Sequence, residues 1–251
     1  MMCTKTCCLA TLLGAAAIAA LGLAPPNHTT GTTISGGAGA PDPATLAKTL
    51  VNTCGGFKEN EIVLIEGGTR DQDLLEFCAI EVRRLGGQPL ITIGSDRLVR
   101  AMFTEVSAKF DKQQPELMTN LANTVDGVIM IDYSERPDNL ADIDPQRIMA
   151  RGKIMQPIDQ KMRDRGVVSV SLGNDLYPTQ ARAERFGITQ DQLSTIFWNA
   201  VNTDYKALQA TGATMQKTLA NGKTLHITAP NGTDLAVEIA QQPVFVSDGV
   251  V

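Results

Sequence analysis

Four short apolar runs recur along the chain, each separated from the next by a segment long enough for a helix. They are Glu61-Ile62-Val63-Leu64-Ile65, Pro89-Leu90-Ile91-Thr92-Ile93, Gly127-Val128-Ile129-Met130-Ile131 and Val167-Val168-Ser169-Val170-Ser171-Leu172. The runs are nearly continuous in apolar residues rather than alternating. Strands with that pattern are covered on both faces, which places them in a parallel sheet joined by right-handed helical crossovers. The expected fold class is therefore α/β, a small parallel sheet flanked by helices.

The intervening segments carry helix signals. Leu46 to Cys54 fits a helix stopped by Gly55-Gly56. Asp71 to Leu85 places Leu74, Leu75, Cys78 and Val82 on one stripe and ends at Gly86-Gly87. Asp96 to about Phe110, and Pro115 to about Asn123, read as two more helices. Pro145 to Asp164 is a long helix that Pro157 is expected to kink or split. Thr179 to Phe186 is helical, and so is Thr189 to about Ala220, opened by a near capping box of Thr189 and Gln192.

From Lys223 the pattern changes. Leu225 to Thr228 and Asp234 to Ile239 flank Pro230-Asn231-Gly232 and read as a β-hairpin. Asn231-Gly232 signals a type I′ turn, with positive φ at both central residues. One more strand-like run follows at Val244-Phe245-Val246. So few strands cannot bury a face of their own. Residues 44–222 thus form an N-terminal α/β domain, and residues 223–251 are expected to start a second, β-rich domain that is truncated.

The front of the chain is different. Lys5 precedes an apolar run from Leu9 to Leu23, too short to span a bilayer but suited to a signal peptide over residues 1–24. Gly22-Leu23-Ala24 and Ala38-Gly39-Ala40 are candidate cleavage sites. Residues 25–43, rich in Gly, Thr, Ser and Pro, read as a disordered linker. An exported protein, periplasmic or extracellular, is expected if this N-terminus is genuine; translated upstream sequence is the alternative and would make the protein cytoplasmic. Cys3, Cys7 and Cys8 precede the apolar run, where they cannot serve as a lipid anchor, and no membrane span is expected. Cys54 and Cys78 either pair or are buried thiols. A net charge of −5 with 4% aromatics excludes nucleic acid as a partner.

In parallel sheets ligands sit at the carboxyl ends of the strands. Glu66-Gly67-Gly68-Thr69-Arg70-Asp71 opens a helix there but lacks every phosphate-loop spacing, so turn chemistry is the plainer reading. Gly94-Ser95-Asp96 reads as an N-cap. Asp132 to Arg136 either lines a polar cleft or forms a surface ion pair. Tyr177 and Thr179 follow the fourth strand and are candidate cleft-lining or structural turn residues, as is Asp234 after Asn231-Gly232-Thr233. His226 stands alone on a strand, and no G-x-S-x-G elbow exists to make it part of a triad. No catalytic and no metal-ligating residue is assigned.

From about Leu46 to Val251 the chain resembles the thermophilic metalloaminopeptidases, the family of aminopeptidases T and S. The resemblance is carried by Val125-Asp126-Gly127-Val128-Ile129 leading to Asp144-Pro145-Gln146-Arg147-Ile148, then Tyr177-Pro178-Thr179 with Ala181, and Gly187-Ile188-Thr189. It closes on Asn231-Gly232-Thr233-Asp234-Leu235 and Ser247-Asp248-Gly249. It implies a homodimeric exopeptidase that releases N-terminal residues from peptides with two divalent metal ions, zinc or cobalt, activating the water. In the family the Glu, His and Asp metal ligands come after the Gly-Thr-Asp-Leu region, so none is carried onto this sequence. This chain alone is expected to bind no metal specifically and to be inactive. The alternative expectation is an exported module that captures a small ligand at the strand ends without catalysis.

Overall fold

The computed structural model describes residues 39–240, 243, 244 and 246, and the backbone of residues 6–8. The elements are β1 (Thr6–Cys8), α1 (Pro43–Lys48), β2 (Ile62–Gly68), α2 (Gln72–Arg84), β3 (Gln88–Gly94), α3 (Asp96–Thr104), α4 (Glu116–Thr124) and β4 (Gly127–Ile131). They continue with α5 (Pro145–Arg165), β5 (Val168–Leu172), α6 (Gln180–Phe186), α7 (Gln190–Val201), α8 (Tyr205–Ala220), β6 (Thr224–Thr228) and β7 (Asp234–Glu238). The first sheet has the order β1-β5-β4-β2-β3 and is parallel throughout. The expected α/β class is the one observed, with β6 and β7 as a separate antiparallel pair. Among the described residues no helix is long and apolar enough to cross a membrane.

Asp42 caps α1 by accepting from Thr45 N–H, and Pro43 supplies a φ ready for the first turn. The helix continues as a π turn, Thr49–Gly55, and Gly56 ends it in the left-handed region at φ 58°. One face of the sheet presents Val63, Ile65, Ile129, Ile131, Val170 and Leu172. Leu50, Val51 and Cys54, the α2 stripe, and Phe197, Trp198 and Val201 of α7 cover it. The other face carries a smaller cluster of Leu64, Val125 and Val128, packed by Leu121 and Met162. Cys54 and Cys78 are both buried and form no disulfide with each other. Burial on both faces thus holds for β2 and for β4 as far as Ile129, while Met130 is exposed. It fails for β3, where Leu90, Ile91 and Ile93 are exposed because that strand lies at the edge.

Several expected boundaries shift. The Asp96–Phe110 helix ends at Thr104, and Ala108–Phe110 is a separate 3₁₀ turn. Arg147 and Arg151 of α5 donate to the Met102, Phe103 and Val106 carbonyls, which satisfies the helix end in place of another turn. The Thr189–Ala220 helix breaks after Val201, because Asp204 accepts from Lys206 and Ala207 N–H and starts α8 afresh. α5 runs unbroken through Pro157, and the next residue, Ile158, is buried and anchors it. The hairpin turn is not type I′, since Gly232 has φ 91° while Asn231 does not have positive φ. Gly232 N–H donates to Ala229 C=O across Pro230-Asn231. Pro230, with its fixed negative φ, suits the second position of a type I turn, and Gly232 follows as a bulge. Val244 and Val246 are not in a strand, and Phe245 lies outside the described residues, as do Gln241, Gln242 and Ser247 to Val251. The readings made on residues 1–38 also fall outside them, apart from the backbone of β1.

Candidate functional site

The chain leaves β2 toward α2 on one face of the sheet and leaves β4 toward α5 on the other. The two connections diverge, so the carboxyl ends of β2 and β4 flank a crevice at the point where strand order reverses. The polar residues after the strands meet there.

Asp132, the first residue after β4, organises the crevice. Its carboxylate accepts from Ser134 N–H at 3.0 Å, from Asp175 N–H at 3.1 Å and from Arg182 Nη2 at 2.9 Å. Arg182 comes from α6, is 1% exposed, and also donates to the Ser134 and Tyr177 carbonyls. A buried guanidinium of this kind is tolerable because its charge is matched and most of its donors are used. Beside it, Tyr177 Oη donates to Asp71 Oδ1 at 2.6 Å, in a buried contact between residues 106 apart in sequence. Arg70 closes the group. It donates to Asp71 and to the Asp132 carbonyl, pairs with Glu135, and lies 4.1 Å over the Tyr177 ring. Burial, reinforced by the Asp71 carboxylate, pushes the Tyr177 hydroxyl well above its ordinary range, so it stays a neutral donor.

Tyr133 lies across the ends of β2 and β3. A side chain at Gly68 would meet its Cβ at 2.9 Å, and one at Gly94 would meet its ring at 2.6 Å. Those glycines therefore make room for a tyrosine, and the turn after β2 is filled rather than open to a phosphate. Burial, then the nearby Glu66, Asp96 and Asp132 carboxylates, raises the Tyr133 pKa. Glu66 is raised as well, by burial against an opposing hydrogen bond from Thr92. Ser95 caps α3 by accepting from Leu98 N–H, and Asp96 accepts from Glu135 and Arg136 N–H at 2.9 Å each. These bonds hold the loop after β4 over a cleft of about 450 Å³. Met130, Leu172 and Val99 line its apolar part, and Asp132, Tyr133 and Asn174 its polar part. Asn174 and Asp175 both adopt positive φ, at 45° and 62°, and the buried Asn174 Nδ2 has no hydrogen-bond partner.

Of the candidate residues read from the sequence, Tyr177 is buried in the network described. Thr179 caps α6, accepting from Arg182 N–H and donating to the Glu135 carbonyl at 2.9 Å. Asp234 lies apart on the hairpin, where its carboxylate meets His226 Nε2 at 2.6 Å with both side chains exposed. Asn231, not Asp234, makes the turn bond, by accepting from Thr233 N–H. The Asp132–Arg136 stretch is both of its alternatives at once, lining the cleft while Glu135 pairs with Arg70. In the sequence Asp71 and Asp132 read only as members of the Glu66–Asp71 turn and the Asp132–Arg136 loop, and Arg182 does not stand out. An aspartate directly after a strand is a readable signal, whereas Arg182 sits in a charged helical stretch that looks like surface.

Among the described residues no three His, Cys, Asp or Glu side chains group so as to hold a metal ion, and His226 is far in the chain from the crevice. Chemically the crevice offers hydrogen-bond donors and fixed carboxylates. It pairs no nucleophile with a base.

The structure is similar to that of AmpT from Thermus thermophilus, with a TM-score of 0.60 and 17% identity, over 78% of this chain and 53% of the AmpT chain. At that identity the likeness shows the fold. The chain therefore spans about half the length of that relative. Comparison with curated proteins finds no significant sequence match. A family model described as thermophilic metalloprotease (M29) matches residues 42–251, most of the sequence and nearly the whole of the described region. The chain belongs to the thermophilic metalloprotease (M29) family.

Proposed function

We propose that this chain carries the α/β part of a metal-dependent aminopeptidase that releases N-terminal amino acids from peptides. The observation that carries the reading is the family match across residues 42–251, and the AmpT-like fold agrees with it. Zinc or cobalt as the metal and a homodimer as the assembly belong to the same proposal. The described residues do not fit a two-metal centre, so no hydrolytic step is assigned to them. Their role in this reading is to scaffold: the crevice network fixes the loops after β2, β4 and β5. The chain by itself is expected to be inactive. Purified chain supplied with zinc or cobalt should not hydrolyse a leucine anilide; turnover comparable to that of full-length AmpT would overturn the assignment. Export is part of the proposal too, and N-terminal sequencing of protein from a secreting host would test it.

A second reading, capture of a small ligand, is favoured by the cleft of about 450 Å³ at the strand ends, with the partnerless Asn174 amide beside it. Isothermal titration with amino acids, short peptides and nucleotides separates the two. Tight binding to the isolated chain supports the module.

A further inference from the structure

The chain holds two Asn-Gly pairs, Asn221-Gly222 and Asn231-Gly232. In each, the glycine has no Cβ to keep its backbone nitrogen from the side-chain carbonyl carbon of the asparagine. The fold treats the two pairs differently. Asn221 ends α8, and its Nδ2 donates back to the Lys217 carbonyl at 2.8 Å, which holds the side chain along the helix and away from Gly222. Gly222 is also crowded, since a Cβ placed on it would meet Ile239 Cδ1 at 3.1 Å. Asn231 is exposed in the hairpin turn, and its side chain is directed forward along the chain. Its Oδ1 accepts from Thr233 N–H at 3.1 Å and from Thr233 Oγ1 at 2.8 Å. An oxygen bonded to the N–H two residues on lies across the intervening residue, here Gly232. Apart from its chain neighbours, nothing lies within 4 Å of a Cβ placed on Gly232. Among the described residues Asn231 Nδ2 makes no hydrogen bond. One cost is common to both sites: Gly232 N–H is held by Ala229 C=O and Gly222 N–H by Leu219 C=O, each at 3.0 Å. The difference between the sites therefore lies in the asparagine side chains.

We propose that Asn231 is a site of spontaneous deamidation, selected over Asn221 by the fold and activated by Thr233. Hydroxide takes the proton from Gly232 N–H, and the nitrogen attacks Asn231 Cγ. A C–N bond forms and negative charge develops on Oδ1. The two Thr233 donors already face that oxygen, and their bonds strengthen as its charge grows, as in an oxyanion hole. The Cγ–Nδ2 bond then breaks, and Nδ2 leaves as ammonia with a proton from water. The product is a cyclic succinimide, and a second water opens it. Cleavage between Cγ and the Gly232 nitrogen gives aspartate at 231. Cleavage between the main-chain carbonyl carbon of residue 231 and that nitrogen gives isoaspartate, whose backbone is longer by one methylene. The net change is one water consumed and one ammonia released, with no oxidation or reduction. Either product puts a new carboxylate in the turn, close in sequence to Asp234. The isoaspartate also lengthens a turn that Gly232 N–H to Ala229 C=O and Ala229 N–H to Thr233 C=O now close. The site is independent of the aminopeptidase and ligand-capture readings.

Ageing the whole folded chain in mildly alkaline buffer and mapping its tryptic peptides over time tests it. Trypsin cuts after Lys217 and Lys223, which puts Asn221 and Asn231 in separate peptides with no other asparagine in either. Fragment masses then locate the amide-to-acid change. In the native chain Asn231 should convert about tenfold faster than Asn221, because only its carbonyl is placed for attack. In urea the two should convert alike. Thr233→Val keeps the shape and the backbone donor but removes the hydroxyl. It should slow Asn231 about fivefold, the factor that one hydrogen bond of ordinary net strength supplies, and leave Asn221 unchanged. Thr233 is exposed, so the variant is expected to fold, and circular dichroism checks that. Native conversion at Asn231 no faster than at Asn221 would overturn the proposal. So would a preference that persists in full in urea, or a Thr233→Val chain that deamidates at the wild-type rate.

Discussion

Replacing Tyr177 with phenylalanine removes one oxygen from the most enclosed part of the crevice. The ring stays, with its packing at 5.5 Å from Phe197 and 5.8 Å from Trp198 and its contact under Arg70. What is lost is the 2.6 Å bond to Asp71, an ionic acceptor that is itself 4% exposed. Hydrogen bonds to charged groups contribute about 1.5–3 kcal/mol, and an abandoned buried acceptor adds its desolvation cost. Asp71 keeps two contacts from Arg70, at 3.1 and 2.9 Å, so it is not orphaned and the loss belongs in the middle of that range, about 2 kcal/mol. For a chain of this size that corresponds to a fall in Tm of roughly 4–8 °C. Trp198 is the chain's one tryptophan and touches the Tyr177 ring, so its fluorescence reports on this region while far-UV circular dichroism follows the whole. The urea slope should be unchanged, since surface exposed on unfolding hardly differs. A Tm within about 1 °C of the wild type would refute the reasoning, because it would mean that Asp71 gains nothing from the hydroxyl.

Three further outcomes are expected. Arg182→Met removes the buried partner of Asp132 and should cost about 3–5 kcal/mol by chemical denaturation; a loss under about 1 kcal/mol would show the pair to be structurally idle. Gly94→Ala forces the Tyr133 ring aside and should destabilise by about 1–3 kcal/mol, whereas the same change in a Tyr133→Ala background should be nearly neutral, and equal costs in both would exclude the contact. Glu66 binds its proton more tightly folded than unfolded, so its ionised form lowers stability as pH rises above the ordinary carboxyl value of 4.5. Glu66→Gln should therefore raise Tm at neutral pH, with the advantage vanishing below that value; an advantage that persists unchanged in acid would reject burial as the cause.

Local chemistry made much of this architecture legible. The four apolar runs, the caps at Ser95 and Thr189, and Gly56 as a helix stop all depend on neighbours within a few residues, and each is found where the pattern put it. The family resemblance was legible for a related reason, since motif order survives along a chain. The readings that failed involved competition. Pro230 outweighed the Asn231-Gly232 turn preference, and Asp204 restarted a helix that periodicity alone would have continued.

The sequence by itself determined the element types, the α/β class and the family. Only the tertiary structure decided that β2 lies between β3 and β4, that Arg182 is buried against Asp132 rather than solvated, and that Tyr177 reaches Asp71 across 106 positions. It also decided that Gly68 and Gly94 make room for Tyr133. The reason is physical: periodicity and capping are set by backbone geometry over one or two turns. Strand order and charge pairing depend on which distant segments the shared core brings together, and no local pattern encodes that distance.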